Sequence, residues 1–392
     1  MAILALEISI SCVILANVIA LSWDRFLAIR TSSGLQESQL LIARSTPDSV
    51  STASSLPMDD ALNVLPSQPD VQSASIVNQL PLSGHESWTV SISSDELPLD
   101  ASGHAEVIQT SVYIGDSSSA KTLGLGLLSG RWFLDEEYAT LSDMSLDGCR
   151  LAVLTEQLAK KLFPTGSAVG NTISINGQTM TVTGTLRSLS RPAYYGENRS
   201  QDAIFLPMRP TEPMSKLIAI RIKGGVDEAS AAVRLEQTLN RDFIGRTQWS
   251  VLPYHEVRDR YFSVDKTAAE ILIVILMAVI IAAANSIAGS TNYWILQRVH
   301  SLAIRRALGA SISRITFSLA AENMTISMVG LITGIIIIRA IGTYLSSQYA
   351  FENIPVSSLI SGSIAVITVA QASVFYLAWK LTRLSPAGLL RL

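Results

Sequence analysis

Four long apolar segments constrain this chain more than any other feature of its sequence. Each contains about 20 predominantly apolar residues, enough for a helix to cross the hydrocarbon layer of a membrane. The segments fall within residues 1–23, 267–290, 311–345 and 357–379. The chain of 392 residues is 48% apolar and only 16% charged, which is little charge for a soluble protein. We therefore predict an α-helical membrane protein with four transmembrane helices and an α+β domain, residues 24–266, inserted between the first and the second.

The first apolar segment has the length of a secretory signal peptide, which is the alternative interpretation. A signal peptide starts with basic residues, and none precedes the apolar run here. Glu7 and Asn17 also interrupt the run. These features favour a helix that stays in the membrane.

Basic residues in the connecting segments predict the orientation, because cytoplasmic loops of membrane proteins are enriched in Lys and Arg. The segment between the second and third helices carries four arginines and no acidic residue: Arg298, Arg305, Arg306 and Arg314. The C-terminal tail, residues 380–392, is also basic without acidic residues. Both are expected in the cytoplasm together with the N-terminus, so the domain at 24–266 should lie outside.

Short apolar-alternating runs in residues 24–266 predict strands, and Asn176-Gly177 between two such runs predicts a two-residue hairpin turn. The predicted strands are 71–76, 88–92, 106–113, 151–154, 173–175, 178–182, 217–223 and 249–252. Helices are expected at 156–163 and, after the capping residue Asp227, up to Arg241. Residues 45–69 are rich in Ser, Pro and Asp and are expected to form a surface loop. This alternation of strands and helices indicates an α+β domain.

Motifs for chemistry are missing from the sequence. The four histidines lie at no metal-ligand spacing, and no Gly-Lys dipeptide occurs, so a metal site and a Walker A loop are not expected. Cys12 lies in the first apolar segment and Cys149 in a distant polar region, so no disulfide is predicted. A net charge of −3 gives no basic footprint for nucleic acid. We expect no cofactor in this chain and no enzymatic activity; any nucleotide would bind to a partner.

Residues 291–310 form the most informative segment. Ile295, Val299 and Leu302 share one helix face, arginines flank this face, and Gly309 permits a sharp break before the third apolar segment. A basic amphipathic helix of this kind either lies on anionic lipid or docks onto a cytoplasmic motor subunit, and the residues alone leave both readings open.

The segment Gln297-Arg298 to Ala310, with its Ile-Arg-Arg-Ala-Leu-Gly-Ala ending, resembles the coupling segment of ABC transporter permeases of the MacB/FtsX superfamily. Two external elements, 123–133 with Gly-Arg-Trp-Phe and 158–170, resemble the MacB-type periplasmic domain, and 383–387 resembles the family's C-terminal element. Ser301 or His300 stands where the family usually has Glu, and the family's amphipathic helix before the first span is not seen. The resemblance implies an ATPase-coupling set: Gln297, Arg298, Ser301, Arg305, Arg306, Leu308 and Gly309.

The resemblance also implies an organisation for the external region. Porter-like parts at 35–118 and 205–253 would flank a second subdomain at 119–204, and a stalk helix at 254–266 would lead into the second span. The bacterial inner membrane would hold the four helices, with the large domain in the periplasm.

Polar and small residues inside the spans are candidates for helix packing or for a substrate path, and we favour packing. They are Glu7, Asn285, Glu322, Gly330 and Gly334. The last two form a GxxxG pattern, which permits close approach of helices within one subunit or between two.

The resemblance implies a non-catalytic permease subunit for export by mechanotransmission, driven by a separate ABC ATPase that binds ATP and Mg. The expected partners are that ATPase, a second permease copy or paralogue, membrane lipid and, for export, a periplasmic adaptor and an outer-membrane channel. The cargo class would be peptide, antibiotic, toxin or lipoprotein. The alternative is an FtsX-like signalling scaffold that regulates an extracytoplasmic enzyme.

Overall fold

The computed structural model describes residues 2–47, 58–98, 106–140, 146, 148–194, 201–210, 217–243, 247–298, 300–301, 304–305, 308–349 and 356–382. The chain forms two compact units. The helical unit comprises Met1–Ile29 and Val264–Leu392, and the α/β unit comprises Arg30–Ser263.

The helices within the described residues follow this order along the chain. They are α1 (Ala2–Ile29), α2 (Met58–Val64), α3 (Ser119–Leu123), α4 (Glu156–Leu162), α5 (Glu228–Asp242), α6 (Tyr254–Tyr261), α7 (Ser263–Leu296), α8 (Ile312–Tyr349) and α9 (Val356–Thr382). Short 3-10 turns occupy Leu65–Ser67 and Asp135–Glu137.

The strands are β1 (Leu40–Pro47), β2 (Val71–Val77), β3 (Thr89–Ser93), β4 (Ile108–Ile114), β5 (Leu127–Gly130), β6 (Ala139–Thr140), β7 (Leu151–Thr155), β8 (Thr172–Ile175), β9 (Gln178–Leu186), β10 (Ala203–Leu206), β11 (Met208–Arg209), β12 (Leu217–Ile222) and β13 (Thr247–Pro253).

Four helices of the described chain, α1, α7, α8 and α9, are long and apolar enough to cross a membrane. Ile8, Cys12 and Leu15 of α1 form a buried cluster with Ile287, Leu331, Val366 and Ala370 of the other three helices. The helices extend beyond the predicted spans, α1 to Ile29 and α7 to Leu296. A helix continues past its apolar residues where the sequence supplies no Pro or capping residue to end it.

A four-stranded antiparallel sheet in the order β13-β1-β12-β2 forms one half of the α/β unit. Helices α2 and α5 contribute Ala61, Leu235 and Leu239 to the core on one face. Asn240 of α5 covers the outer edge of β13 at Trp249. Its side-chain oxygen accepts from the Trp249 N–H at 2.8 Å, and its side-chain nitrogen donates to the Trp249 carbonyl at 2.9 Å. This side chain takes the place of a further strand, which protects the edge against pairing with another chain.

The second half of the unit is a closed barrel. Strand β9 pairs with β7 in parallel and with β8 antiparallel, so the six strands β9-β7-β10-β4-β3-β8 form a ring, and β5 adds to β9 outside it. The barrel encloses alternating apolar side chains, among them Val90, Val112, Leu154, Ile173, Met180 and Ile204. Closure removes free edges from these six strands.

Local sequence signals in the α/β unit are confirmed. Asn176 (φ 49°) and Gly177 (φ 85°) form the two-residue turn of the β8–β9 hairpin, with Ile175 paired to Gln178. Asp227 caps α5 by accepting a hydrogen bond from the backbone N–H of Ser230 at 2.9 Å. The predicted strands at 71–76, 88–92, 106–113, 151–154, 217–223 and 249–252 correspond to β2, β3, β4, β7, β12 and β13.

Three predicted boundaries differ from the structure. Residues 45–69 were expected to be loop, but β1 reaches Pro47 and α2 buries Met58 and Ala61; residues 48–57 lie outside the described part. The second subdomain was expected at 119–204. Its sheet also includes β3 and β4, because β4 pairs with β10, so this subdomain begins well before residue 119. The single stalk helix expected at 254–266 is two helices, which end and begin on either side of Phe262.

Candidate coupling site

The segment between α7 and α8 begins with an arginine that is fixed to the helical unit. Arg298 Nη1 lies 2.6 Å from Glu322 Oε2 of α8, and its guanidinium carbon lies 4.8 Å from the ring centroid of Trp294. Trp294 is buried with Leu319, Ala320 and Val374. The sequence placed Arg298 in the ATPase-coupling set, whereas the structure turns its side chain toward α8. The ion pair is half exposed and should contribute about 0–1 kcal/mol, so it orients the segment more than it stabilises the fold.

The end of the coupling segment is a helix terminus of the Schellman type. The backbone N–H of Leu308 bonds the carbonyl of Ile304 and that of Ala310 bonds the carbonyl of Arg305, both at 3.0 Å. Gly309 has φ +89°, the left-handed conformation that such a terminus requires and that glycine adopts without strain. His300, Ser301, Ile304 and Arg305 are helical.

The side chains before this terminus face away from the helical unit. Leu308 is 82% exposed and Ile304 49% exposed. Gln297, Ser301 and Arg305 are exposed as well. Arg306 lies outside the described residues, so its expected role stays a prediction. A large exposed leucine beside a basic residue suits either a protein partner or a lipid surface.

Helix α1 packs closely on α8 and α9. A methyl group at Gly330 would lie 2.7 Å from the Ala5 carbonyl oxygen, and one at Gly334 would lie 3.1 Å from that of Ser9. The GxxxG pattern thus serves contact within one chain. Glu7 accepts a hydrogen bond from Ser290 of α7 at 2.7 Å.

The structure does not bring all predicted polar residues together. Asn285 lies exposed on α7, away from the packing of Glu7 and Ser290. Buried Asn323, next to Glu322, bonds the Ala370 carbonyl of α9 at 3.4 Å. Trp294 was not singled out from the sequence, although it precedes Arg298 by one helical turn, the spacing at which side chains meet.

The Gly-Arg-Trp-Phe element lies in the α/β unit at the end of β5. Arg131 forms a bidentate ion pair with Glu137 at 2.6 and 2.8 Å, and the hydrogen bond from Arg131 lowers the pKa of Glu137 to about 2. Trp132 donates to the Tyr138 hydroxyl at 3.0 Å, and burial raises the pKa of Tyr138 to about 12. Gly130 (φ +76°) has no room for a side chain, since a methyl group would lie 2.2 Å from the Thr183 carbonyl oxygen. The element therefore closes the β5–β6 connection.

Among the described residues no group of three His, Cys, Asp or Glu side chains is placed to hold a metal ion. Burial raises the pKa of the Cys149 thiol to about 11, which disfavours the reactive thiolate. The arrangement at the coupling segment can bind a partner surface.

Comparisons with known proteins agree with this architecture. Residues 1–238 match the model of the MacB-like periplasmic core domain, and residues 272–386 match that of the FtsX-like permease C-terminal domain. The uncharacterized ABC transporter permease YknZ of Bacillus subtilis is 21% identical over 256 residues, which cover 65% of this chain and 62% of that protein. The chain thus spans less than two thirds of the curated relative.

Two solved structures are similar to part of this chain. The periplasmic region of MacB from Actinobacillus actinomycetemcomitans has 15% identity and a TM-score of 0.38, covering 59% of this chain and 97% of that one. The extracellular domain of YknZ from Gram-positive bacteria has 15% identity and a TM-score of 0.37, covering 54% and 99%. With both domain models matched in this order, the chain belongs to the MacB/FtsX superfamily of ABC transporter permeases and is a multi-pass membrane protein with an extracellular domain.

Proposed function

We propose that this chain couples ATP hydrolysis by a separate ATPase subunit to movement of its α/β unit, and that this movement drives export. The observation that carries the proposal is the exposed Leu308 at a glycine-terminated helix end, next to Arg305, on a segment anchored through Arg298 to Glu322. The buried core of a protein interface is more apolar than the rest of the surface and enriched in Arg, so an exposed leucine beside an arginine suits a docking surface.

The anchoring of Arg298 supports a mechanical role. Because Arg298 contacts both Trp294 of α7 and Glu322 of α8, a displacement of the segment at Leu308 would act on both helices together. In this proposal Gln297, Ser301, Arg305, Arg306, Leu308 and Gly309 form the partner-facing set, and Arg298 is an anchor.

The remaining parts of the proposal follow from the family. ATP and Mg would bind the partner ATPase, and a second permease copy or a paralogue would complete the transporter. We place the helical unit in the bacterial inner membrane and the α/β unit in the periplasm, where an adaptor and an outer-membrane channel would receive the cargo. The cargo class is a peptide, antibiotic, toxin or lipoprotein.

Co-purification of the full chain with its ATPase tests the docking surface. Leu308→Asp and Arg305→Glu should each reduce the ATPase recovered with the permease by about tenfold, the effect of losing about 1.4 kcal/mol of binding energy. Arg314→Glu makes the same charge change at an exposed arginine of α8 and should leave recovery unchanged. Wild-type recovery with both Leu308→Asp and Arg305→Glu would show that the ATPase binds elsewhere.

A further inference from the structure

The chain passes between its two units twice, after Ile29 and before Val264. We call residues 30–39 the first connector and residues 254–263 the second connector. Apart from hydrogen-bonded turns, the first connector has no helix or strand, so its sequence has the character of a flexible linker. Its hydrogen bonds within the α/β unit contradict that character.

Backbone carbonyls at the start of the first connector are bound by side and main chains from elsewhere in the unit. Arg258 Nη2 donates to the Thr31 carbonyl at 2.8 Å. The hydroxyl of Ser190 donates to the Ser32 carbonyl at 2.6 Å, and the Ser190 N–H donates to the Ser33 carbonyl at 3.0 Å. Irregular backbone bound at consecutive residues loses the freedom that makes a linker flexible.

The end of the first connector is held by a second arginine. Arg221 on β12 is only 5% exposed, and its guanidinium donates to the carbonyls of Gln36 (2.9 Å), Ser38 (2.7 Å) and Thr122 (2.8 Å). Burial lowers the pKa of this guanidinium, and the three carbonyl oxygens accept from three of its five N–H groups. A buried arginine that spans three carbonyls fixes the connector to the sheet and to α3.

The N–H groups of the first connector are also bound. The N–H of Gln36 donates to the Leu123 carbonyl at 3.1 Å, and that of Gln39 donates to Glu228 at 2.8 Å. Gly34 (φ +85°) lies so close to Ser188 that a methyl group would be 2.3 Å from its carbonyl oxygen. The connector backbone is thus bound at Gln36 and Gln39 and closely packed at Gly34.

The two connectors are joined to each other. Arg258 Nη1 on α6 donates to both carboxylate oxygens of Glu37, each at 2.9 Å, and the Ser33 hydroxyl donates to the same carboxylate at 2.6 Å. Tyr254, at the start of α6, is buried and donates to the Pro81 carbonyl at 2.7 Å. Arg258 therefore ties the second connector to both ends of the Thr31–Glu37 stretch.

We propose that Arg258 and Arg221 are positioning residues that make the first connector a rigid link, so that movement of α1 displaces the α/β unit instead of stretching a loose linker. The proposal rests on the proposed function for the source of movement. The rigidity of the connector stands apart from that function and can be measured on the chain alone.

Hydrogen–deuterium exchange of the full chain in detergent tests the rigidity. In the wild type, amides of residues 34–39 should exchange at least about tenfold more slowly than in an unstructured peptide. Arg258→Ala should weaken this protection severalfold, since the Arg221 contacts with Gln36 and Ser38 remain, and should leave exchange in the sheet strands unchanged. Arg258→Lys should retain part of the protection, because a lysine ammonium can bond Glu37 but cannot also bond the Thr31 carbonyl.

Arg234→Ala is the matched control. Arg234 pairs with Asp70 at 2.7 Å in the same unit and does not touch either connector, so connector protection should stay at the wild-type level. If Arg258→Ala prevents folding, Glu37→Gln replaces it, since that change keeps the side-chain shape and removes the charge. Unprotected amides at 34–39 in the wild type would overturn the rigid link whatever the protein does.

Hydrogen–deuterium exchange in the assembled permease–ATPase complex tests whether movement is transmitted to the α/β unit. An ATP-dependent change in the α/β unit should be present in the wild type and in Arg234→Ala, and reduced by at least half in Arg258→Ala with its ATPase rate retained. An undiminished change in Arg258→Ala would overturn the positioning role and leave the proposed function standing. A wild type without any ATP-dependent change would overturn transmission and the proposed function together, while the protection at 34–39 would still report the rigid connector.

Discussion

Arg298 Nη1 lies 2.6 Å from Glu322 Oε2, which joins the coupling segment to the third turn of α8. The same guanidinium covers the face of buried Trp294 on α7. One side chain thus holds the segment to two helices, and Ile304, Arg305 and Leu308 beyond it are exposed.

Loss of the carboxylate at position 322 should loosen the coupling segment. We expect Glu322→Ala to speed tryptic cleavage after Arg305 severalfold, because local opening becomes easier while global stability falls by less than about 1 kcal/mol. The measurement is a cleavage time course on the purified chain. Glu270→Ala removes an exposed carboxylate of α7 and should leave the time course unchanged; equal acceleration in both variants would contradict the anchoring role.

The close approach of α8 to α1 predicts a strong asymmetry between two glycines. Gly330→Ala would force a methyl group to 2.7 Å from the Ala5 carbonyl oxygen and should destabilise the helical unit by about 1–3 kcal/mol. Gly289→Ala on α7 meets nothing within 4 Å and should be neutral or stabilising, by up to about 1 kcal/mol. Thermal unfolding in detergent compares the two; equal melting temperatures would rule out the α1–α8 contact.

The Arg131–Glu137 pair predicts a dependence of stability on acid pH. The folded-state pKa of Glu137, about 2, lies below its ordinary 4.5, so the pair stabilises the fold above pH 4.5 and loses its effect as pH falls toward 2. Glu137→Gln should therefore lower the unfolding midpoint of the α/β unit at pH 6 and converge with the wild type near pH 2–3. Arg131→Gln should show the same convergence. A gap that stays constant from pH 6 to pH 3 would disprove this assignment.

Burial of Cys149 predicts low thiol reactivity in the folded chain. Its pKa is raised to about 11, so the thiolate is scarce at pH 8 and the thiol itself is inaccessible. A water-soluble maleimide should label Cys149 at least about tenfold faster after unfolding than before it. A Cys12→Ser background isolates the signal, and rapid labelling of the folded chain would contradict the burial.

The sequence predicted the parts of the fold whose signals are local. Asn176-Gly177 predicted its hairpin because both residues favour positive φ, and Asp227 predicted the start of α5 because its carboxylate binds a free N–H. Apolar length alone predicted the four long helices. These features need no knowledge of distant residues.

Features that depend on distant partners could not be predicted. The pattern of β3 and β4 does not reveal that β4 pairs with β10, so the barrel and its closure by β8 and β9 were missed. Residues 58–64 lie inside a segment rich in Ser, Pro and Asp that was predicted to be loop, yet Met58 and Ala61 are buried against the sheet. The inward turn of Arg298 depends on Glu322 and Trp294, and the rigid first connector depends on Arg258 and Arg221, which lie roughly 200 residues further along the chain.

The proposed function requires that the nucleotide state of a partner ATPase reaches the extracellular α/β unit through this chain. Hydrogen–deuterium exchange across Arg30–Ser263, in the intact permease–ATPase assembly with and without a non-hydrolysable ATP analogue, tests it most directly. We expect the analogue to change exchange in this unit, and we expect Leu308→Asp, which should release the ATPase, to abolish the change. Identical exchange in the two nucleotide states, with the ATPase demonstrably bound, would contradict it.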